Sequence, residues 1–210
     1  MEIKKFTFNP FQENTYVLYD ETASAAIVDP GCYDANERQA LVDFIENKGL
    51  KPQLLLNTHA HIDHILGNQF VANKYGLELA LHKDDFTTLD AGERTATVYG
   101  LVYDESPKAT QVLEEGVDVV FGNTKLKVLH VPGHAPGHVV FYNEKEKVII
   151  GGDVLFRGSI GRTDLPGGNH QQLLDQIREK LFVLDEDIKV YTGHGPETTI
   201  GEEKRSNPFF

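Results

Sequence analysis

The stretch LNTHAHIDH, residues 56–64, limits what this chain can fold into more than any other part of it. Three histidines and an aspartate occupy the six positions from His59 to His64, directly after the apolar run Leu54, Leu55 and Leu56. The run reads as a buried strand, and the polar group sits where that strand gives way to a loop. A sheet that presents chemistry from loops at its strand ends is the way α/β proteins build sites. The whole chain has nine histidines in 210 residues, so three in one loop need a specific cause.

The flanking sequence supplies the rest of such a scaffold. Short runs over residues 3–8, 15–19 and 25–28 alternate apolar and polar, which is strand patterning, and the DPG at Asp29, Pro30 and Gly31 closes them. A helix follows: Asp34 is its N-cap, Glu37 the capping-box partner, Leu41, Phe44 and Ile45 one face, and Gly49 the stop. A strand is expected over 53–57, a helix over 67–75 ending at Gly76, and a strand over 77–81. Residues 83–107 mix helical and irregular signals. From Val117 the chain turns to strands again, with one hairpin around Gly122 and Asn123 and a second in HVVFYNEKEKVIIGG. A helix over 169–181, striped by Leu173, Leu174, Ile177 and Leu181, precedes a last strand over 188–191. Strands thus fall into two groups, each followed by helices, with no repeat and no long linker. A chain 40% apolar has material for a sizeable core, and one domain spanning 1–210 is the expectation.

Composition excludes several function classes. A net charge of −12 repels phosphate backbones and anionic membrane surfaces, so neither nucleic acid nor membrane is an expected partner. The lone Cys32 can form no intramolecular disulfide and rules out a thiolate-rich metal site. No leader pattern and no apolar window of about 18 residues occurs. The expectation is a soluble, cytoplasmic protein; the oligomeric state has no signature in the sequence.

Three further stretches place His or Asp just past an apolar run and beside glycine: LKVLHVPGHAPGH with His134 and His138, KVIIGGDVLF with Asp153, and IKVYTGHGPE with His194. In an extended loop His59 and His61 share a face, whereas Asp63 and His64, at the start of the next helix, turn toward a neighbouring point. One loop therefore outlines two metal positions, each needing ligands from elsewhere. Histidine and carboxylate without cysteine suit zinc, iron or manganese, and a carboxylate can bridge two ions. Gly133, Gly137, Gly151, Gly152, Gly193 and Gly195 flank these candidates, where close backbone approach is needed.

Taken together and in this order, THAHIDH, PGHAPGH, the GGD before Val154 and the final GHG resemble the metallo-β-lactamase fold superfamily from about residue 14 to the end. Within it, LFRGSIGRTDLPGG and YTGHGPETTIGEE are similar to the short, glyoxalase II-like thioester hydrolases. The resemblance implies an α/β fold, a four-layer αββα sandwich with the site at one edge of two sheets. It implies two divalent metal ions, zinc first, with iron or manganese also suited. His59, His61 and His134 would hold one, Asp63, His64 and His194 the other, and Asp153 would bridge them. Two such ions about 3.5–4 Å apart hold a bridging water, lower its pKa, and polarise a carbonyl. Asp63 is then also the catalytic acceptor of the water's proton. The implied substrate is a small acyl-thiol, S-D-lactoylglutathione or a relative, whose thiolate leaves without a dedicated acid. Full-length glyoxalase II carries an additional C-terminal helical domain, and with residues 195–210 following His194 a counterpart of it is not expected here. Arg157 and Arg162 are the candidate substrate-binding cations, with Lys204 and Arg205 behind them.

Other readings stay open. A mononuclear iron persulfide dioxygenase of the same fold would use His59, His134 and Asp153, and another ester or lactone is an alternative substrate. A β-lactamase is disfavoured by the bridging Asp153, a nuclease by charge, a flavodiiron reductase by His61, and a metal-stabilised scaffold would turn nothing over. Among the remaining residues, His138 reads as a supporting histidine, His82 and His130 as packing, and His170 as either cleft lining or helix-end polarity. Tyr33 and Phe156 read as packing aromatics, and Cys32 has no assigned chemistry.

Overall fold

The structure, a computed structural model, describes residues 1–210. The alternation of the first 28 residues becomes β1 (Glu2–Phe8), β2 (Glu13–Tyr19) and β3 (Ser24–Val28), an antiparallel ribbon in which Phe6 faces Thr15 and Val17 faces Ile27. The helix α1 (Ala35–Asn47) begins at Asp34, whose carboxylate accepts the Glu37 N–H at 2.9 Å while the Glu37 side chain reaches back to the cap. Leu41, Val42 and Ile45 bury one face of it. This crossover lets β4 (Lys51–Leu56) run parallel to β3, since parallel neighbours need a long connection. After α2 (Ile62–Ile65) and α3 (Asn68–Tyr75), β5 (Leu79–His82) runs parallel to β4. Gly76 ends α3 with φ +66°, the left-handed turn that glycine permits at a helix end.

The mixed signals of residues 83–107 have a structural cause. A 3₁₀ turn, Lys83–Asp85, leads into α4 (Phe86–Asp90) and α5 (Gly92–Tyr99), all too short to show a helical period, and an irregular stretch follows. The sheet closes with β6 (Ala109–Leu113), giving the order β1-β2-β3-β4-β5-β6.

The second sheet holds β7 (Val119–Phe121), β8 (Thr124–His130), β9 (Val139–Asn143), β10 (Val148–Gly152), β13 (Lys189–Thr192) and β14 (Thr198–Thr199), in the order β14-β13-β10-β9-β8-β7. Both expected hairpins form. A small ribbon, β11 (Leu155–Phe156) with β12 (Ser159–Ile160), follows β10. The helix α6 (His170–Gln176), capped by Asn169, widens into a π segment, Ile177–Leu181, where the Phe182 N–H reaches back five residues to the Ile177 carbonyl at 2.9 Å. Strand β13 is not the last, contrary to expectation: β14 and α7 (Ile200–Ser206) follow it. A two-residue strand shows no alternation, and IGEEKRS is mostly polar; the cap Thr199, accepting the Glu202 N–H at 3.1 Å, is the one local signal.

Contacts divide the chain into two compact units. The first comprises Met1–Val112 with Val120–Lys125; the second comprises Leu113–Val119 with Leu126–Phe210. Each has its own apolar core: one around Val17, Ile27, Leu41, Leu55, Ile65 and Leu79, the other around Val140, Ile149, Leu173, Ile177 and Val190. No helix is long and apolar enough to cross a membrane.

Candidate metal centre

In the first unit the loop that carries His59, His61, Asp63 and His64 leaves a pair of parallel strands. Val28 lies opposite Leu56, and the Asp29 N–H donates to the Leu56 carbonyl at 2.9 Å, so Asp29 and residues 57–59 leave the sheet side by side. The His59 ring centroid is 4.7 Å from that of His61 and 4.1 Å from that of His64. On α2, His64 Nε2 lies 3.7 Å from Asp63 Oδ2. The four sequence candidates of this loop are therefore brought together.

Hydrogen-bond accounting orients the rings. The Thr58 hydroxyl has one proton and donates it to Asp29 Oδ2 at 2.6 Å, so at 3.0 Å from His59 Nδ1 it accepts. His64 Nδ1 lies 3.2 Å from the same Asp29 Oδ2 and donates to it. In neutral imidazoles both Nε2 atoms then carry the lone pair, the form that binds a cation. Asp29, His59 and His64 also lie within 4.8 Å of one another, close enough for the three to share one ion. Asp29 has other work: it takes the Thr58 N–H at 2.7 Å, Asn57 Nδ2 at 3.2 Å and the two donors just named. We therefore read it as the anchor of the rings.

The second unit repeats the device. Strands β10 and β13 are parallel, and the Gly193 N–H donates to the Gly152 carbonyl at 2.7 Å, so Asp153 and His194 emerge together. Asp153 Oδ2 stands 3.6 Å from His134 Nε2 and 3.6 Å from His194 Nε2. His134 Nδ1 donates to the Arg162 carbonyl at 2.7 Å, which leaves Nε2 bare and facing a carboxylate oxygen. Two lone-pair atoms turned toward each other at this spacing fit a cation between them. The donor sets of both units, imidazole and carboxylate without thiolate, suit a divalent metal.

Several supporting residues escaped sequence reading. Asp85, fully buried, accepts the Ala60 N–H at 2.8 Å between two candidate ligands. Asn9 Nδ2 donates to the Asp63 carbonyl at 2.9 Å. Burial pushes the Glu13 carboxyl up, against the opposing pull of His64, whose Nδ1 lies 3.9 Å from Glu13 Oε1. Gly161 packs against the bridging candidate, and a Cβ there would collide with the Asp153 carbonyl. The only local signals were turn chemistry at Asn9 and Asp29 and the GRTD glycine.

The remaining candidates have plain surroundings. His138 is buried and its Nε2 accepts the Asp153 N–H at 3.0 Å, a supporting contact. His130 Nε2 meets the Pro136 carbonyl at 2.9 Å, and His82 Nδ1 accepts the Asp84 N–H at 3.3 Å. His170 is exposed, 3.5 Å from the Thr163 hydroxyl, and its ring centroid is 6.2 Å from that of Phe209. The ring centroid of Phe156 is 6.3 Å from that of His194, and the Tyr33 hydroxyl accepts the Val102 N–H at 3.0 Å. Arg162 lays its fork on Asp164, at 2.7 and 2.8 Å, and holds that carboxyl down at about 2. Arg157 donates to the Glu197 carbonyl at 2.5 Å, while Arg205 and Lys204 meet Glu186 at 2.6 and 3.8 Å.

The metallo-beta-lactamase superfamily profile matches residues 8–194. The chain belongs to that superfamily. Among its superfamily relatives, the hydroxyacylglutathione hydrolase GloC of Haemophilus influenzae is 39% identical over 217 residues, covering 100% of this chain and 98% of GloC. A crystal structure of BLEG-1, a B3 metallo-beta-lactamase, is 38% identical with a TM-score of 0.91, covering 99% of each chain. TTHA1623 in a di-iron-bound form is 37% identical with a TM-score of 0.89, covering 99% of this chain and 100% of that one. The chain thus has the metallo-beta-lactamase fold, that of a superfamily of metal-dependent hydrolases.

Proposed function

We propose that this protein is a dinuclear metal-dependent hydrolase of thioesters, with S-D-lactoylglutathione or a related acyl-thiol as substrate. In this reading His59, His61 and His134 hold one ion, Asp63, His64 and His194 hold the second, and Asp153 is shared. The observation that carries it is the position of Asp153 Oδ2, equidistant at 3.6 Å from the Nε2 atoms of His134 and His194. A carboxylate oxygen so placed is suited to two cations rather than one. The 39% identity to a hydroxyacylglutathione hydrolase over the full chain supports the thioester.

The ions supply Lewis acidity, making a water nucleophilic near neutral pH and polarising the acyl carbonyl. This chain's residues do the rest. Asp29 holds the His59 and His64 rings with bare Nε2 atoms inward, and the Arg162 carbonyl does the same for His134. Asp63 takes the proton of the attacking water on its carboxylate and aims the oxygen lone pair at the carbonyl carbon. Arg157 and Arg162 receive a carboxylate of the thiol carrier. A thiolate leaves as an anion of low basicity, so no side chain need protonate it. Zinc is the preferred ion, and the di-iron form of TTHA1623 makes iron the second choice.

A second reading comes from BLEG-1, 38% identical and described as a B3 metallo-beta-lactamase: the same site would open a β-lactam ring. The deciding experiment is hydrolysis of S-D-lactoylglutathione and of a chromogenic cephalosporin by one purified sample, with oxygen excluded and metal content measured. Thioester turnover with about two metals per chain is the expected result. Cephalosporin turnover alone would replace the thioester by the lactam. A single iron with oxygen uptake on glutathione persulfide would replace hydrolysis by sulfur dioxygenation.

A further inference from the structure

Residues 83–107 are tied to the rest of the first unit at several points. At one end Asp85 accepts the Ala60 N–H at 2.8 Å; at the other Asn68 Nδ2 donates to the Ser106 hydroxyl at 2.9 Å. Between them α5 packs on α2, the helix of Asp63 and His64. The Val102 N–H donates to the Tyr33 hydroxyl at 3.0 Å, and Arg38 pairs with Asp104 at 2.8 Å. These ties set the segment against the first unit as a wall.

That wall carries large apolar side chains in water. Val98 is 78% exposed, Val102 79% and Tyr99 47%, which is unusual for neighbours in one short segment. The Tyr99 ring meets Phe11 edge-on, with centroids 5.3 Å apart. Phe11 belongs to the β1–β2 turn that is anchored beside the proposed catalytic aspartate. Asn9 Oδ1 accepts the Phe11 N–H at 3.0 Å, and Asn9 Nδ2 donates to the Asp63 carbonyl at 2.9 Å. The aromatic pair is thereby linked through Asn9 to the backbone of Asp63.

We propose that Phe11 and Tyr99 are specificity-determining residues, an apolar wall linked through Asn9 to Asp63 that lets the site take bulkier apolar or aromatic acyl groups and favour them over an acetyl group. The inference rests on the thioester-hydrolase reading and deepens it. A ring or alkyl chain bound against fixed aromatic faces loses water without ordering the protein, and a pocket of this kind discriminates by about tenfold or more.

The test compares zinc-reconstituted wild type with Phe11→Ala, Tyr99→Ala and Tyr99→Phe on S-phenylacetylglutathione and S-acetylglutathione. Wild type is expected to favour the phenylacetyl substrate in kcat/KM by about tenfold. Either alanine variant lowers that ratio, chiefly through KM, and Tyr99→Phe restores it. A wild-type ratio near one, or a ratio untouched by both alanine variants, overturns the proposal. Calorimetric binding of phenylacetate and acetate to the same proteins separates this result from a failure of the thioester reading. Should no thioester be cleaved, tighter phenylacetate binding that is lost in the alanine variants still supports the wall. Equal binding of the two carboxylates by wild type overturns it.

Discussion

The Asp29 carboxylate and the His64 imidazole meet at 3.2 Å, Oδ2 to Nδ1, inside a unit where both side chains are buried. Through the Thr58 hydroxyl the same oxygen also governs His59. One carboxylate thus sets two ring tautomers, and it sits just past β3 at φ +48°, a backbone position that aspartate tolerates better than most residues. Replacing it with alanine would leave the Thr58 N–H without its acceptor, leave Asn57 Nδ2 with the His64 carbonyl alone, and remove the oxygen that orients both imidazoles. Asp29→Ala is expected to weaken zinc binding by about 10–100-fold, the usual effect of losing such a partner. Competition with a chromophoric chelator measures this; an unchanged affinity would show that the rings are oriented without Asp29.

Asp63 separates two roles that one residue can hold. In Asp63→Asn the amide oxygen can still face an ion, but the side chain no longer accepts a proton. Turnover of the thioester should fall by about a hundredfold or more while metal content stays near that of wild type. Parallel loss of metal and activity would reduce Asp63 to a ligand only.

The candidate loops stood out in the sequence because each follows an apolar run that ends at a sheet edge. What remained hidden was their pairing. Local pattern says nothing about which strands lie parallel, and it is the parallel pairs β3–β4 and β10–β13 that set Asp29 beside His59 and Asp153 beside His194. Asp29 itself was read as turn chemistry in DPG, since its real partners are up to 35 residues away. Asp85 was masked by elements of three and five residues that show no helical period. Strand β14 and α7 lay below the same threshold, and α7 announced itself only through its Thr199 cap.

Arg162 is engaged before any substrate arrives. Its fork on Asp164 is exposed and competes with water, so it contributes little to stability but occupies the donors a carboxylate would use. Asp164→Asn frees the guanidinium and is expected to lower KM for S-D-lactoylglutathione. Arg162→Ala should raise KM about tenfold, the scale of one charge-assisted hydrogen bond. Steady-state kinetics on the two variants decide the matter, and a KM indifferent to both would move carboxylate recognition elsewhere.

Gly161 is a steric requirement of the second unit. A methyl group there would strike the Asp153 carbonyl, backbone that cannot swing aside, and His134 Nδ1 lies just behind it. Gly161→Ala should cost about 1–3 kcal/mol of stability and displace Asp153. Thermal unfolding of the metal-free protein reads the first effect, and metal stoichiometry reads the second. A variant as stable and as well loaded as wild type would mean that the β12 turn has slack.

Cys32 offers a pH-dependent readout of folding. Burial, the leading cause, pushes its thiol from 9.0 up to about 12. The folded state therefore favours the neutral thiol. Its contribution is complete below the unfolded value near 9 and is lost as pH rises from there toward 12, because only the unfolded chain can ionise in that window. At pH 8 a thiol reagent such as Ellman's should leave the native protein unlabelled and react fully once denaturant is added. Prompt labelling of native protein would place Cys32 within reach of solvent and remove the burial argument.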